Sequence, residues 1–394
     1  MTDGPMPDRL PPDSSIPDGP MPDGPIADDA GKTEAERAAA AEDLGKPAAA
    51  EEGGAPISLA QRLRQPRTII SILIPLIVIV AFVYLNRDTL GTVPGLIFKA
   101  NPLLFFAAFA IYYLGFPLRG FRWSRLLKGT GTDVGTRDAT EILFLSWLVN
   151  CVVPAKLGDV YRAYLLKINT TASLSRTFGT VFIERILDLL VIAVMGLAAG
   201  FWSFRTGLPP SIQIVAVLGI VVVVVLAGLL LSMRNFGRSL ILRLPLPHRA
   251  RELYDRFEEG VFGAIATRAL PMLVVVTVLV WSTESLRLYL VVQALGFPNV
   301  ELGLSGAVFV ALIGSLLTAV PLSPAGLGIV EAGVVGVLTA AYGVPLPEAT
   351  AIALLDRVIS VFSIIVLGSI AYLLSSKPAG LAGAADRDRE ASPA

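Results

Sequence analysis

The amino-acid sequence predicts an all-α integral membrane protein with six full transmembrane helices and two re-entrant hairpins arranged as an inverted repeat. Three observations predict this fold: an apolar composition, several apolar runs of membrane-spanning length, and a short motif that occurs twice. Hydrophobic residues make up 54% of the 394 residues and charged residues only 16%. Soluble globular domains carry about 25% charged residues, so the composition excludes an ordinary soluble protein.

The first 56 residues differ from the rest of the chain. They are rich in Pro, Asp, Gly and Ala and hold thirteen acidic and four basic side chains. Such a segment cannot bury enough apolar surface to fold, so we expect residues 1–56 to be a disordered cytoplasmic tail. The remainder carries nineteen acidic and twenty-eight basic side chains, a positive excess that suits anionic lipid. We expect a membrane domain at 57–376 and a second disordered tail at 377–394.

Six apolar runs are long enough to cross a bilayer, which takes about 20 helical residues. They lie at 68–85, 102–120, 177–202, 211–233, 270–295 and 351–374. Clusters of Lys and Arg lie before the first run, after the second, and between the fourth and fifth. Positively charged loops stay in the cytoplasm. We therefore expect a multi-pass protein of the cell inner (plasma) membrane with cytoplasmic N- and C-termini.

Two further apolar regions are interrupted by proline and glycine. Because the charged loops fix the sides of the neighbouring spans, each of these regions must enter and leave the membrane on one side. The region 139–168 is then a re-entrant hairpin from the cytoplasmic side, and 303–342 is one from the outer side. Irregular backbone at membrane depth is tolerated only where protein or water covers it.

The two hairpins share the motif Pro-Ala-x-Leu-Gly, which begins at Pro154 and again at Pro324. An acidic residue followed by arginine comes about 30 residues later in each half, as Glu184-Arg185 and Asp356-Arg357. The chain is thus interpreted as two copies, 65–202 and 211–374, each with three full spans. Because each copy has an odd number of full spans, the second copy has the opposite orientation in the membrane to the first. Inverted repeats with broken helices are typical of secondary transporters.

Ionisable side chains lie within the predicted spans and hairpins, where each costs at least ~2.5 kcal/mol. Ion pairs between helices explain them as well as a ligand site does. In the sharper hypothesis, arginines hold an anionic head group, since guanidinium binds phosphate through two parallel hydrogen bonds. Arg162, on the returning limb of the first hairpin, is the strongest single candidate. The others are Glu184, Arg185, Asp188, Arg287, Glu331, Asp356 and Arg357.

Four motif elements in order resemble the flippase-like membrane family, whose best-known member region is the transmembrane part of lysylphosphatidylglycerol synthase, the multiple peptide resistance factor. They are Asn150 with Pro154–Arg162, Glu184-Arg185-x-x-Asp188, Pro324–Glu331, and Asp356-Arg357. The likeness covers about residues 65–376. It implies a bacterial or archaeal membrane protein that moves or binds a lipid, and by motif position it adds Asn150 to the candidate site residues.

The sequence departs from that family at two places. Gly158-Asp159 stands where the family often has Gly-Glu, which is a conservative change. Only a short polar segment follows the last predicted span, where the synthase carries a large soluble aminoacyl-transferase domain. The resemblance therefore implies no lysyl-transfer chemistry here, and the lipid cannot be inferred from that relative.

Three functions remain open from the sequence. The first is a lipid translocase or lipid-binding transporter for an anionic or polyprenyl-type lipid. The second is a non-catalytic scaffold for an enzyme of lipid or cell-envelope synthesis. The third, a membrane-embedded enzyme acting on a lipid phosphate, needs a metal-binding acidic cluster or a nucleophile–base pair. The single histidine and single cysteine disfavour it, so we expect no enzyme activity, no cofactor, no metal and no nucleic-acid partner.

Overall fold

The computed structural model describes residues 91–153, 156–204, 248–264, 269–318 and 323–379, with a few isolated positions between 84 and 232. Every regular element in these ranges is a helix. The α-helices are α1 Val93–Phe98, α2 Pro102–Gly129, α3 Thr136–Val152, α4 Leu157–Asn169, α5 Leu174–Ser203, α6 His248–Ala264, α7 Leu270–Leu295, α8 Leu304–Thr318, α9 Ile329–Tyr342, α10 Leu346–Arg357 and α11 Ser363–Leu374.

Four helical stretches in the described ranges are long and apolar enough to cross a membrane. They are Pro102–Gly129, Leu270–Leu295, Pro324–Tyr342 and Leu346–Leu374. The chain is therefore a multi-pass, all-helical membrane protein in the part that the structure describes.

The expected spans compare well with these helices where both exist. α7 has the expected bounds, and α5 contains the expected span 177–202. α2 begins at its expected start but continues past residue 120 to Gly129. Arg119 and Arg122 are buried against the bundle, whereas Arg125 and Lys128 are exposed. The expected spans 68–85 and 211–233 lie outside the described residues, as do the tail 1–56 and most of 377–394.

The first interrupted region forms two short helices that pack against each other. α3 has 17 residues and α4 has 13. At ~1.5 Å per residue, these helices are about 25 and 20 Å long, which is shorter than the hydrocarbon core of a bilayer. The turn passes through Lys156, whose φ of 52° is left-handed. Pro154 and Ala155 lie outside the described residues.

The returning limb of the second interrupted region begins with a short turn. α8 packs against α9, and a 3₁₀ turn at Pro324–Gly326 precedes α9 with Ala325 in the left-handed region at φ 50°. With this turn, the limb Pro324–Tyr342 has 19 residues, while α9 itself has the expected bounds 329–342. Proline at the start of a helical turn requires no hydrogen bond from its missing N–H, so Pro324 initiates the limb.

Helices from the two halves of the chain alternate in the packing. α2 lies along α7, α5 packs on α8, and α3 packs on α11. α10 continues into α11 through a π-helical turn at Val358–Phe362. Tyr112 of α2 donates a hydrogen bond of 3.1 Å to the carbonyl oxygen of Ser360 inside that turn. Such π-turns occur frequently at functional sites, and this one lies at the centre of the bundle.

α6 is an amphipathic helix, and part of its apolar face is covered by protein. Val261 is fully buried, while Leu253 is exposed. Gly260 lies against Gly179 of α5, where a Cβ atom on Gly179 would stand 2.8 Å from the Gly260 Cα. The two helix backbones therefore touch, and α6 is docked on the bundle.

The close contact between Gly179 and Gly260 leads to a prediction about stability. In Gly179→Ala, the new methyl group meets the Phe257 carbonyl oxygen at 2.5 Å, and overpacking of this kind costs about 1–3 kcal/mol. Gly336→Ala is the matched control, because nothing lies within 4 Å of its Cβ position and alanine raises helix propensity. Thermal unfolding in detergent, followed by size-exclusion chromatography, should give a lower midpoint for Gly179→Ala only. Equal midpoints would contradict the close approach.

Candidate functional site

A cavity of about 160 Å³ lies between helices of both halves of the chain. Its wall is unusually charged for a space inside an apolar bundle. Six cationic side chains and four carboxylates line it, together with Tyr112, Trp147 and Trp281. The charged residues are Arg119, Arg122, Lys156, Arg185, Arg287 and Arg357, and Glu184, Asp188, Glu284 and Asp356.

Arg122 joins three helices beside this cavity. Its side chain, 1% exposed, donates from Nη1 to Asp188 Oδ1 at 2.6 Å and to Thr277 Oγ1 at 2.9 Å. It donates from Nη2 to Glu184 Oε1 at 3.1 Å. Glu184 and Asp188 face the same side of α5 because they are four residues apart. Trp281 also donates to Asp188, with its Nε1 at 3.0 Å from Oδ1.

A second set of ion pairs joins α2, α7 and α10. Glu284 accepts from Arg119 at 2.5 Å and also from Arg287, one helical turn along α7. Arg287 in turn donates from Nε and Nη2 to the two oxygens of Asp356, at 2.8 and 3.1 Å. The guanidinium of Arg287 also lies over the ring of Tyr112, 4.9 Å from its centroid. The four charged groups therefore form one continuous chain of hydrogen bonds.

The arginine of each repeated acid–arginine pair reaches the helix that follows the Pro-Ala-x-Leu-Gly motif. Arg185 donates to both oxygens of Asp159, at 3.0 and 2.6 Å. Arg357 pairs with Glu331, with Nε at 2.8 Å from Oε1. These two bridges occupy corresponding positions in the two halves of the sequence, and each ties a long helix to a motif helix.

Side chains also hold the two motif turns. Asn150 Oδ1 accepts a 2.9 Å hydrogen bond from the backbone N–H of Gly158. Glu331 Oε2 accepts one of 2.6 Å from the N–H of Gly328. Gly158 lies so close to Asn150 that a Cβ atom would meet the Asn150 amide carbon at 2.5 Å. A larger residue at position 158 would therefore clash with the Asn150 side chain.

Three arginines of the cavity wall each have a buried side-chain nitrogen without a hydrogen-bond partner in the part of the chain that the structure describes. These nitrogens are Arg119 Nη1, Arg122 Nε and Arg357 Nη2. All three residues are more than nine-tenths buried. Lys156 has no carboxylate within 4.0 Å among the same residues. Buried donors are usually paired, so these groups suit an anionic ligand.

The sequence-predicted residues fall into two groups. Seven of them line the cavity: Asn150, Glu184, Arg185, Asp188, Arg287, Asp356 and Arg357. Glu331 and Arg162 do not. Glu331 acts one step away, through Arg357.

Arg162 lies behind the cavity wall. Its guanidinium stands over the ring of Trp123 at 4.7 Å and pairs with Glu184 at 3.1 Å. No acidic residue three or four positions away pairs with Arg162, but α5 brings Glu184, 22 residues away in sequence, to it across the packing interface. The head-group role of Arg162 stays a prediction. Arg162 orients the Glu184 carboxylate, which also pairs with Arg122.

Three cations of the cavity wall, Arg119, Arg122 and Lys156, are not among the site residues that the sequence predicts. The two arginines belong to the basic cluster after the second expected span, which the positive-inside rule assigns to the cytoplasm. Their spacing of three residues nevertheless places them on one helix face. A helix continuing to Gly129 would have included them. Lys156 occupies the variable position of the repeated motif, where the second copy has Gly326. The similarity between the two copies therefore does not point to this lysine.

Comparisons with known proteins agree with this fold. The family model described as the lysylphosphatidylglycerol synthase TM region matches residues 68–368. The UPF0104 membrane protein MJ1078 of Methanocaldococcus jannaschii is 34% identical over 226 residues, which is 57% of this chain and 93% of that protein. A UPF0104 membrane protein of Methanothermobacter thermautotrophicus is 28% identical over 293 residues, 70% of this chain and 84% of that protein.

A longer protein is also similar. The glycosyltransferase AglD of Haloferax volcanii is 27% identical over 351 residues, which is 81% of this chain but only 56% of AglD. The family match extends over more than half of the chain and includes both motif copies. The resemblance that the motifs suggest is thus confirmed, and this multi-pass membrane protein belongs to the family of the lysylphosphatidylglycerol synthase transmembrane region.

Proposed function

We propose that the protein is a lipid translocase or lipid-binding transporter, rather than an enzyme, and that its cavity receives the head group of an anionic or polyprenyl-type lipid. The observation that carries this proposal is the cationic excess of the cavity wall, with unpaired donors on buried arginines. Charged groups at membrane depth usually mark substrate or ion pathways. A negatively charged head group would supply the acceptors that these donors lack.

The size of the cavity favours a head group without its tails. At about 160 Å³, it is smaller than the 300–1,000 Å³ typical of sites that enclose a drug-sized ligand. The acyl or prenyl chains would remain among the helices or in the bilayer. This division suits a carrier in which only the polar part of the lipid has to be shielded from the hydrocarbon core.

Two re-entrant hairpins in an inverted repeat would provide alternating access. The bridges Arg185–Asp159 and Arg357–Glu331 each hold a motif helix against a long helix. In the inverted arrangement, the first bridge is toward the cytoplasm and the second is toward the outer side. A head-group anion that binds either arginine would weaken one bridge at a time. Opening one bridge would free one repeat to move against the other, and such rocking of two repeats around a fixed central site is a common transport mechanism.

The family and its members support a lipid-related role. The family takes its name from a synthase of an aminoacylated phospholipid, and one relative is named a glycosyltransferase. The alignment covers only 56% of that glycosyltransferase, so a region like this chain occurs beside another region in a longer protein. This observation favours a second candidate function, a membrane scaffold for an enzyme of lipid or envelope synthesis.

Filling the cavity tests the transport proposal. In Ser315→Phe the phenyl ring would occupy the cavity that Ser315 lines, and we expect at least a tenfold loss of lipid translocation in proteoliposomes, which corresponds to about 1.4 kcal/mol. Ser369→Phe is the matched control, because both hydroxyls donate only to the carbonyl oxygen four residues earlier and Ser369 is exposed. A Ser315→Phe protein that folds and transports normally would exclude the cavity as the site.

Arg162→Ala separates support from ligand binding. Glu184 would lose one of its two guanidinium partners at a side-chain exposure of 3%. Breaking such a buried pair costs about 3–5 kcal/mol, so we expect a much lower unfolding temperature in detergent. The lipids that co-purify with the folded fraction should match the wild type, as measured by mass spectrometry. Normal stability with an altered lipid profile would assign Arg162 to the site instead.

Single-cysteine labelling tests the two hairpins. In a Cys151→Ser background, cysteines at Asp133 and Thr171, on exposed turns either side of α3 and α4, should both react with an impermeant maleimide from the cytoplasmic face. Cysteines at Glu301 and Pro345, which flank α8 and α9 and are exposed, should both react from the outer face. Labelling of the two members of a pair from opposite faces would rule out that hairpin.

A further inference from the structure

The charges around the cavity balance except at one residue. The ion pairs described above contain six arginines and six carboxylates, and every one of these twelve groups has an opposite charge within 4.0 Å. Lys156, which lines the cavity, is the seventh cation of this cluster. Within the described part of the chain, the cluster therefore has one cation more than it has carboxylates, and Lys156 is the cation without a carboxylate within 4.0 Å; Asp159 and Asp188 attract it from farther away.

Lys156 also has an unfavourable backbone conformation. It lies at φ 52° and ψ 36°, at the residue that precedes the first turn of α4. A residue with a Cβ atom costs about 1–2 kcal/mol in this left-handed region, whereas glycine adopts it freely. The second motif copy has glycine at the corresponding position, Gly326, with φ 71°. Ala325 of the second copy bears the same conformational cost at φ 50°. What distinguishes the first copy is that the position of Gly326 is taken by a lysine that lines the cavity.

The neighbourhood of Lys156 supplies further donors for the same anion. The helix α4 has 13 residues and begins after Lys156, whose own side chain makes no cap. Asn150 already accepts from the Gly158 N–H, so the Leu157 N–H is the first-turn donor nearest to Lys156, and helix N-termini favour anions. Asn150, which also lines the cavity, uses its amide oxygen for Gly158, which leaves its NH₂ group as a donor. The unpaired, buried Nη2 of Arg357 belongs to another residue of the same wall.

We propose that Lys156 holds the phosphate of the transported lipid and that the head group carries a single net negative charge. This proposal rests on the lipid-carrier function proposed above and adds the substrate class: a phosphodiester whose other substituent, such as glycerol or a sugar, is neutral. In a site of low dielectric constant, unmatched charge is costly. One negative charge neutralises Lys156, a zwitterionic head group leaves it unmatched, and a dianionic one leaves a surplus negative charge.

Lipid-binding measurements on the full chain in nanodiscs test this assignment. The probes are phosphatidylglycerol, phosphatidylethanolamine and phosphatidic acid at equal concentration, with native mass spectrometry as the readout. We expect the wild type to prefer phosphatidylglycerol about tenfold over each of the others. Lys156→Gln should abolish the preference over phosphatidylethanolamine, and Lys156→Arg should keep it. Lys167→Gln, an exposed lysine on the same helix, is the control and should behave as the wild type.

The outcomes distinguish this inference from the function on which it rests. If the wild type prefers an anionic lipid and Lys156→Gln prefers it equally, the assignment of Lys156 is overturned while the carrier function stands. A wild-type preference for phosphatidic acid would overturn the single-charge rule. If the wild type binds all three lipids equally, the carrier function itself fails. Displacement of the lipid by equimolar glycerophosphoglycerol would identify a free phosphodiester as the ligand and would overturn a lipid substrate.

Discussion

The pairing of buried charges is the constraint on which this bundle depends. Removing one partner of a buried ion pair costs about 3–5 kcal/mol, so each arginine here fixes the helices that carry its carboxylates. Arg122 sets the rotation of α5 and α7 relative to α2, because it must reach Asp188 and Thr277 at once. Glu284 does the same for α2 and α7 through its two arginines. Apolar packing alone would permit many rotations of these helices.

The same network determines what the cavity offers to a ligand. A guanidinium has five N–H donors, and a carboxylate that holds two of them orients the others. Arg119 is fixed by Glu284 and by the ring of Trp147, 4.9 Å from its centroid, and its Nη1 remains unpaired in the described structure. Arg162 and Trp123 stand behind Glu184 as a supporting layer. The wall is therefore organised before any ligand enters, and little side-chain ordering is left for the ligand to induce.

Stability and the proposed transport cycle place opposite demands on two of these bridges. Arg185–Asp159 and Arg357–Glu331 are less buried than the Arg122 pairs, with side-chain exposures up to 33% against 7% or less. Partly exposed pairs are weaker and exchange partners more easily. The bundle thus keeps its strongest pairs between the long helices and its weaker pairs at the motif helices, which are the elements that a transport cycle would have to move.

The sequence by itself determined the helical class, the membrane location, the family and most of the charged residues at the cavity. These follow from local properties of the chain. The bilayer thickness sets the length of an apolar run, as for α7. A charged residue inside such a run is rare, which is why Glu184 and Asp356 are identified as candidate site residues. Tertiary structure decided which charges meet. Arg119 and Glu284 are 165 residues apart and Arg122 and Asp188 are 66 apart. No local pattern encodes such contacts, so only the packed helices distinguish Arg162, which has a carboxylate partner, from Lys156, which has none among the described residues.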